Sequence, residues 1–128
     1  MHKLLAIAVG GSIGALMRYW ISDVAYRVLG VTFPWGTLFV NAIGCFLIGL
    51  LWALFDYYIV NPNWRLALLT GFLGAFTTFS TFALETFNLM QDNEFKVAAM
   101  NVLFSVLLGL VLVYIGIIAG RQFITIFR

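Results

Sequence analysis

Uncharged hydrogen-bonding side chains recur along this sequence at helical spacing. Thr37, Asn41 and Gly44 follow i, i+4, i+7, and Asn101, Ser105 and Gly109 follow i, i+4, i+8, so each set shares one helical face. In apolar surroundings such side chains must find a partner or face water. Each either makes one interhelical hydrogen bond, worth about 0.6 kcal/mol in lipid, or lines a path for a species that accepts hydrogen bonds from uncharged donors. Two aligned stripes with no carboxylate between them point to the second use, and the species is then an anion or water.

A different chemistry is written into Gly71-Phe-Leu-Gly74-Ala-Phe-Thr77-Thr78-Phe79-Ser80-Thr81-Phe82. Hydroxyl and β-branched residues interleaved with phenylalanines after two glycines are poor helix material. In lipid, a helix breaks only where the freed backbone is buried in protein or lines a cavity. Freed carbonyls, doubled by a two-fold axis, suit a hard cation such as Na⁺, and freed N–H groups suit anions. Phe79 and Phe82 stand i, i+3, on one face if helical. A ring has a negative face and a positive edge, so two rings presented edge-on can contact a small anion without formal charge. The other use of a membrane phenylalanine is packing, which covers most of the 13 Phe in the chain.

Arg18 stands in an otherwise uncharged stretch. It either snorkels to the interface or serves as a fixed positive charge that concentrates anions at a pathway mouth. The lone Cys45 permits no intramolecular disulfide, and His2 has no metal-ligand companions at suitable spacing. No phosphate loop or nucleophile–base constellation is present. A net charge of +2 is no nucleic-acid footprint. Nothing here supports an enzyme.

These residues need a membrane to position them. The chain has 128 residues, 63% hydrophobic and 9% charged, too few charges to cover a soluble surface. About 20 apolar residues cross a hydrocarbon core, and four windows qualify: residues 4–22, 36–55, 66–84 and 97–120. Arg18 is the one charge inside them. The first window lacks a small-residue cleavage site and reads as a retained span. Connectors of about 10 to 13 residues leave no room for an extramembrane domain, so residues 1–128 read as one transmembrane domain. Its glycines, most of them within the spans, read chiefly as points of close helix approach.

Four spans put Lys3, Arg65, Arg121 and Arg128 at one face and Arg27 and Lys96 at the other, with Arg18 leaning toward the second. So even a split orients the chain weakly. Insertion both ways round makes an antiparallel homodimer the natural assembly, with its axis in the membrane plane. Four helices alone also enclose little interior.

Three stretches, Gly10-Gly-Ser-Ile-Gly14-Ala-Leu-Met-Arg18-Tyr19, Pro34-Trp-Gly36-Thr37-Leu-Phe-Val-Asn41-Ala-Ile-Gly44 and the Gly71 to Phe82 segment, closely resemble signatures of the Fluc (CrcB) family of small bacterial fluoride channels. The resemblance spans essentially the whole chain. It implies an all-α membrane protein with four transmembrane helices per subunit and a break in the third. The subunits would form an antiparallel, dual-topology homodimer in the bacterial cytoplasmic (inner) membrane, with two pores exporting F⁻ passively and a structural Na⁺ at the centre. By the same resemblance Phe79 and Phe82 are the rings that meet fluoride, Asn41 is the pore asparagine, and Ser80 and Thr81 are the hydroxyl pair opposite the rings. Ser105 matches a pore serine. The stripe adds Thr37 to the pore. Gly74 and Thr77 fall where backbone carbonyls hold Na⁺, Arg18 matches a vestibule arginine, and Glu85 a glutamate near the pore mouth. Asn101 and Gly109 depart from members that carry tyrosine and serine there.

A small four-span drug/proton antiporter is the alternative, but it needs a membrane-embedded carboxylate, and Glu85, Asp23 and Asp56 lie at window ends or in connectors. A non-transporting assembly subunit would account for the glycines but not for the aligned stripes.

Overall fold

The computed structural model describes residues 1–126 and is helical almost throughout. Its elements are α1 (His2–Leu29), α2 (Trp35–Tyr57), α3 (Pro62–Arg65), a π-helical stretch (Leu66–Leu73), α4 (Gly74–Phe76), α5 (Phe79–Gln91) and α6 (Phe95–Ile126). Elements α3 to α5 together form the third span, Pro62–Gln91, and all four spans are long and apolar enough to cross a membrane. Arg128, expected at the face of the termini, lies outside the described residues.

Local chemistry explains where the elements start and stop. Asn61 Oδ1 accepts from the Asn63 N–H at 2.9 Å, and Pro62 takes the first helical position, where its missing N–H costs nothing. α5 ends in a Schellman turn: Asn93 is left-handed at φ 62°, the Glu94 N–H donates to the Leu89 carbonyl at 2.8 Å, and the Asn93 N–H donates to Met90 at 3.2 Å. α1 runs on to Leu29, beyond the window ending at 22. Arg18 therefore stands about three turns from the helix end, not in the last turn where the apolar window placed it.

The helices pack in pairs, α1 along the first half of the third span and α2 along α6. Missing side chains permit this contact. A Cβ on Gly10 would overlap the Ala67 carbonyl oxygen and one on Gly14 that of Phe72; Gly49 meets Val113 and Gly116 meets Phe46 in the same way. Backbone against backbone is how helices associate in lipid, where apolar burial drives little. The fully enclosed apolar core is small, Val40, Leu73 and Phe76 where α2 meets the third span. Most other large apolar side chains face outward.

Candidate functional site

Thr77 and Thr78 interrupt the third span. Their backbones are extended, at φ −79°, ψ 156° and φ −147°, ψ 120°, between α4 and α5. Two backbone groups freed by this conformation are taken up by one side chain from the neighbouring span. The Thr78 N–H donates to Asn41 Oδ1 at 2.8 Å, and Asn41 Nδ2 donates back to the Thr78 carbonyl at 3.0 Å. The primary amide thus imitates a strand partner inside an all-helical protein. Thr77 Oγ1 donates to the Leu73 carbonyl at 2.9 Å. Thr78 Oγ1 caps α5, accepting from the Thr81 N–H at 3.2 Å and donating to Thr81 Oγ1 at 2.9 Å.

The same bonds leave two carbonyls without a helical donor. Because the Thr78 N–H turns to Asn41 and the Thr81 N–H to Thr78 Oγ1, neither reaches the carbonyl four residues back, that of Gly74 or of Thr77. Gly74 is exposed, and a Cβ there would meet nothing nearer than the Leu69 carbonyl oxygen at 3.9 Å. Gly44 is a different case. A Cβ on it would overlap Thr77 Cγ2, so Gly44 lets the break lie against α2.

Beside the break opens a cleft of about 440 Å³ whose lining includes Asn41, Gly44, Cys45, Gly74, Thr77, Thr78, Phe79, Phe82 and Ser105. The two rings adjoin, centroids 5.6 Å apart and planes at 48°. Phe79 is 79% exposed, so this chain alone leaves the cleft open on one side. The chemistry offered is uncharged: one N–H of Asn41 not engaged by Thr78, hydroxyls, ring edges and backbone. No residue lining it is Asp or Glu.

The remaining candidates are distributed around the cleft. Ser80 and Thr81 lie on the exposed first turn of α5, outside the lining. Thr37 is buried near the start of α2, also outside it, although it shares a helical face with Asn41. Arg18 is half-buried on α1 and does not line the cleft. Glu85 accepts from the Tyr26 O–H at 2.7 Å through Oε1, tying α1 to α5, while its Oε2 is buried with no hydrogen-bond partner. Asn101 is fully buried; its Nδ2 donates to Thr86 Oγ1 at 2.9 Å, and its Oδ1 meets Ser105 Oγ at 3.5 Å. The second stripe thus binds α6 to α5 at Asn101 and reaches the cleft at Ser105.

Sequence reasoning missed Tyr26 and Thr86 as polar partners and the clasp between Asn41 and the Thr78 backbone. Thr78 had a legible signal, a Thr three residues before Thr81 at a helix start. Tyr26 had none, standing beyond the apolar window.

This arrangement can be set beside known proteins. Residues 5–117 match the family model described as CrcB-like protein, Camphor Resistance (CrcB). A Geobacter sulfurreducens protein named fluoride-specific ion channel FluC is 51% identical, covering 95% of this chain and 99% of the relative. A Parabacteroides distasonis protein of the same name is 44% identical over the full length of both chains. Another from Magnetococcus marinus is 50% identical over 90% of this chain and 94% of its own. With a family match over most of its length and relatives this similar end to end, this four-span chain belongs to the CrcB family.

Proposed function

We propose that the protein is a fluoride channel, two copies of which assemble antiparallel in the bacterial inner membrane and export F⁻ passively through two pores. The observation that carries this reading is the cleft, where Phe79, Phe82, Asn41 and Ser105 meet with no ionised side chain, in a chain whose relatives are named fluoride-specific channels. Fluoride is small and strongly hydrated, so a pathway must offer donors at close range yet release the ion again. The remaining Asn41 N–H, the Ser105 hydroxyl and the ring edges are individually weak partners, suited to handing an ion on. Ser80 and Thr81, on the exposed turn beside the rings, extend the track, and Arg18 and Glu85 serve its mouth. Thr37, buried one turn before Asn41 on the same face of α2, extends the polar stripe beyond the cleft.

Antiparallel pairing is supported by the open side of the cleft and by basic residues divided almost evenly between the two ends. Na⁺ fits the break. The Gly74 and Thr77 carbonyls are hard oxygen donors without helical partners, and two copies supply four of them. When bound, the ion would lock two breaks together. Proton-coupled drug exchange is disfavoured because no carboxylate lines the cleft. Expression in a bacterium stripped of its own fluoride exporters tests the function: growth in millimolar fluoride should be restored, and continued fluoride sensitivity with the protein present in the membrane refutes it.

A further inference from the structure

We propose that the end of the bundle carrying Lys3 and Arg65 holds the headgroup phosphate of an anionic phospholipid. The inference rests on residence in a membrane and is independent of the fluoride reading. A second cavity, of about 460 Å³, opens there between the start of α1 and the start of the third span. Lys3 comes from one element and Arg65 from the other, and Thr70 adds a hydroxyl. No acidic residue lines it. Asp56 is near in sequence, yet among the described residues the ion pair found joins Arg27 to Asp23, at the other end of the bundle. Among the described residues, then, neither Lys3 nor Arg65 has an acidic partner. Arg65 is oriented by the Phe55 ring, its guanidinium carbon 5.8 Å from the centroid.

The rest of the cavity is apolar, from Val60, Leu66 and Leu69. Cations at the rim with an apolar floor match a phosphodiester joined to acyl chains better than a free anion, which gains nothing from leucine. Depth agrees. Tyr57, Tyr58 and Trp64 are exposed at this end, as aromatic residues are at headgroup level. A guanidinium fork and an ammonium are a usual pair of phosphate donors, and basic pockets between spans at the membrane surface take anionic headgroups.

The test is native mass spectrometry of the purified protein in detergent with added phosphatidylglycerol or phosphatidylcholine. Phosphatidylglycerol should be retained preferentially, with the preference falling roughly fivefold for each of the two charges removed. Lys3→Gln with Arg65→Gln should lower it about 25-fold, Lys3→Arg with Arg65→Lys should keep it, and Lys96→Gln at the opposite end should leave it unchanged. Should the double neutral variant not fold, Lys3→Gln alone, at an exposed helix start, carries the test with a loss of about fivefold. Equal retention of both lipids, or a preference unaltered by neutralisation, overturns the proposal. Displacement of phosphatidylglycerol by millimolar inorganic phosphate also overturns it, because the cavity would then be a small-anion site.

Discussion

Asn41→Ala is the substitution whose cost the structure specifies most fully. It deletes both partners of the Thr78 backbone at once, at 2.8 and 3.0 Å, and Thr78 is buried. A buried donor or acceptor left without a partner costs about 1 to 3 kcal/mol. Polar contacts in lipid average only about 0.6 kcal/mol because separated helices find substitutes, but an extended backbone cannot recover its helical bonds without undoing the break. Water entering from the open cleft offsets part of the loss, so about 3 kcal/mol for the two groups together is expected. Thr78→Ala is the matched control. It removes the α5 cap, worth about 1 kcal/mol, and leaves both bonds to Asn41 in place. Unfolding in mixed micelles, titrated with a denaturing detergent, should therefore rank Asn41→Ala below Thr78→Ala by about 2 kcal/mol. Equal stabilities, or the reverse order, would refute the clasp.

Phe79→Ile and Phe82→Ile keep apolar bulk but remove the ring edge, and each should cut fluoride flux from liposomes by at least about tenfold, one unit of 1.4 kcal/mol, while the protein stays folded; near wild-type flux in both would make the rings packing residues. Replacing Na⁺ by N-methylglucamine through long dialysis should lower flux and loosen the dimer on size-exclusion chromatography, and no change in either would remove Na⁺ from the break. Gly49→Leu drives a side chain into the Val113 carbonyl and should destabilise by at least about 2 kcal/mol, read in the same detergent titration; wild-type stability would show that α2 and α6 need no close approach. A terminal cysteine added to a Cys45→Ser background should react from both sides of the membrane, and labelling from one side alone would exclude dual topology.

The spans were legible because lipid demands a run of apolar residues, and the four windows fall within the four helices. Their ends were not, since hydropathy registers the hydrocarbon crossing while α1 and α6 continue through polar residues to Leu29 and Ile126. The stripes showed where polar groups lie but not what they bond. Thr37 and Asn41 share a face, yet Thr37 is one turn nearer the helix start and outside the cleft, because a helical repeat fixes direction and not depth. Asn101 stood on the second stripe with its role open, and its amide bonds Thr86 on the neighbouring helix. The Asn41 clasp depends on two spans meeting at one height, which no local pattern encodes.

Fluoride conduction by this uncharged cleft is what the proposed function requires. The most direct measurement is efflux from liposomes containing the purified protein, loaded with potassium fluoride or potassium chloride, diluted into an impermeant salt and triggered with valinomycin. Rapid fluoride release with chloride retained is the predicted result; no fluoride release above that of protein-free liposomes, or equal release of both anions, would show that the cleft is not a fluoride-selective path.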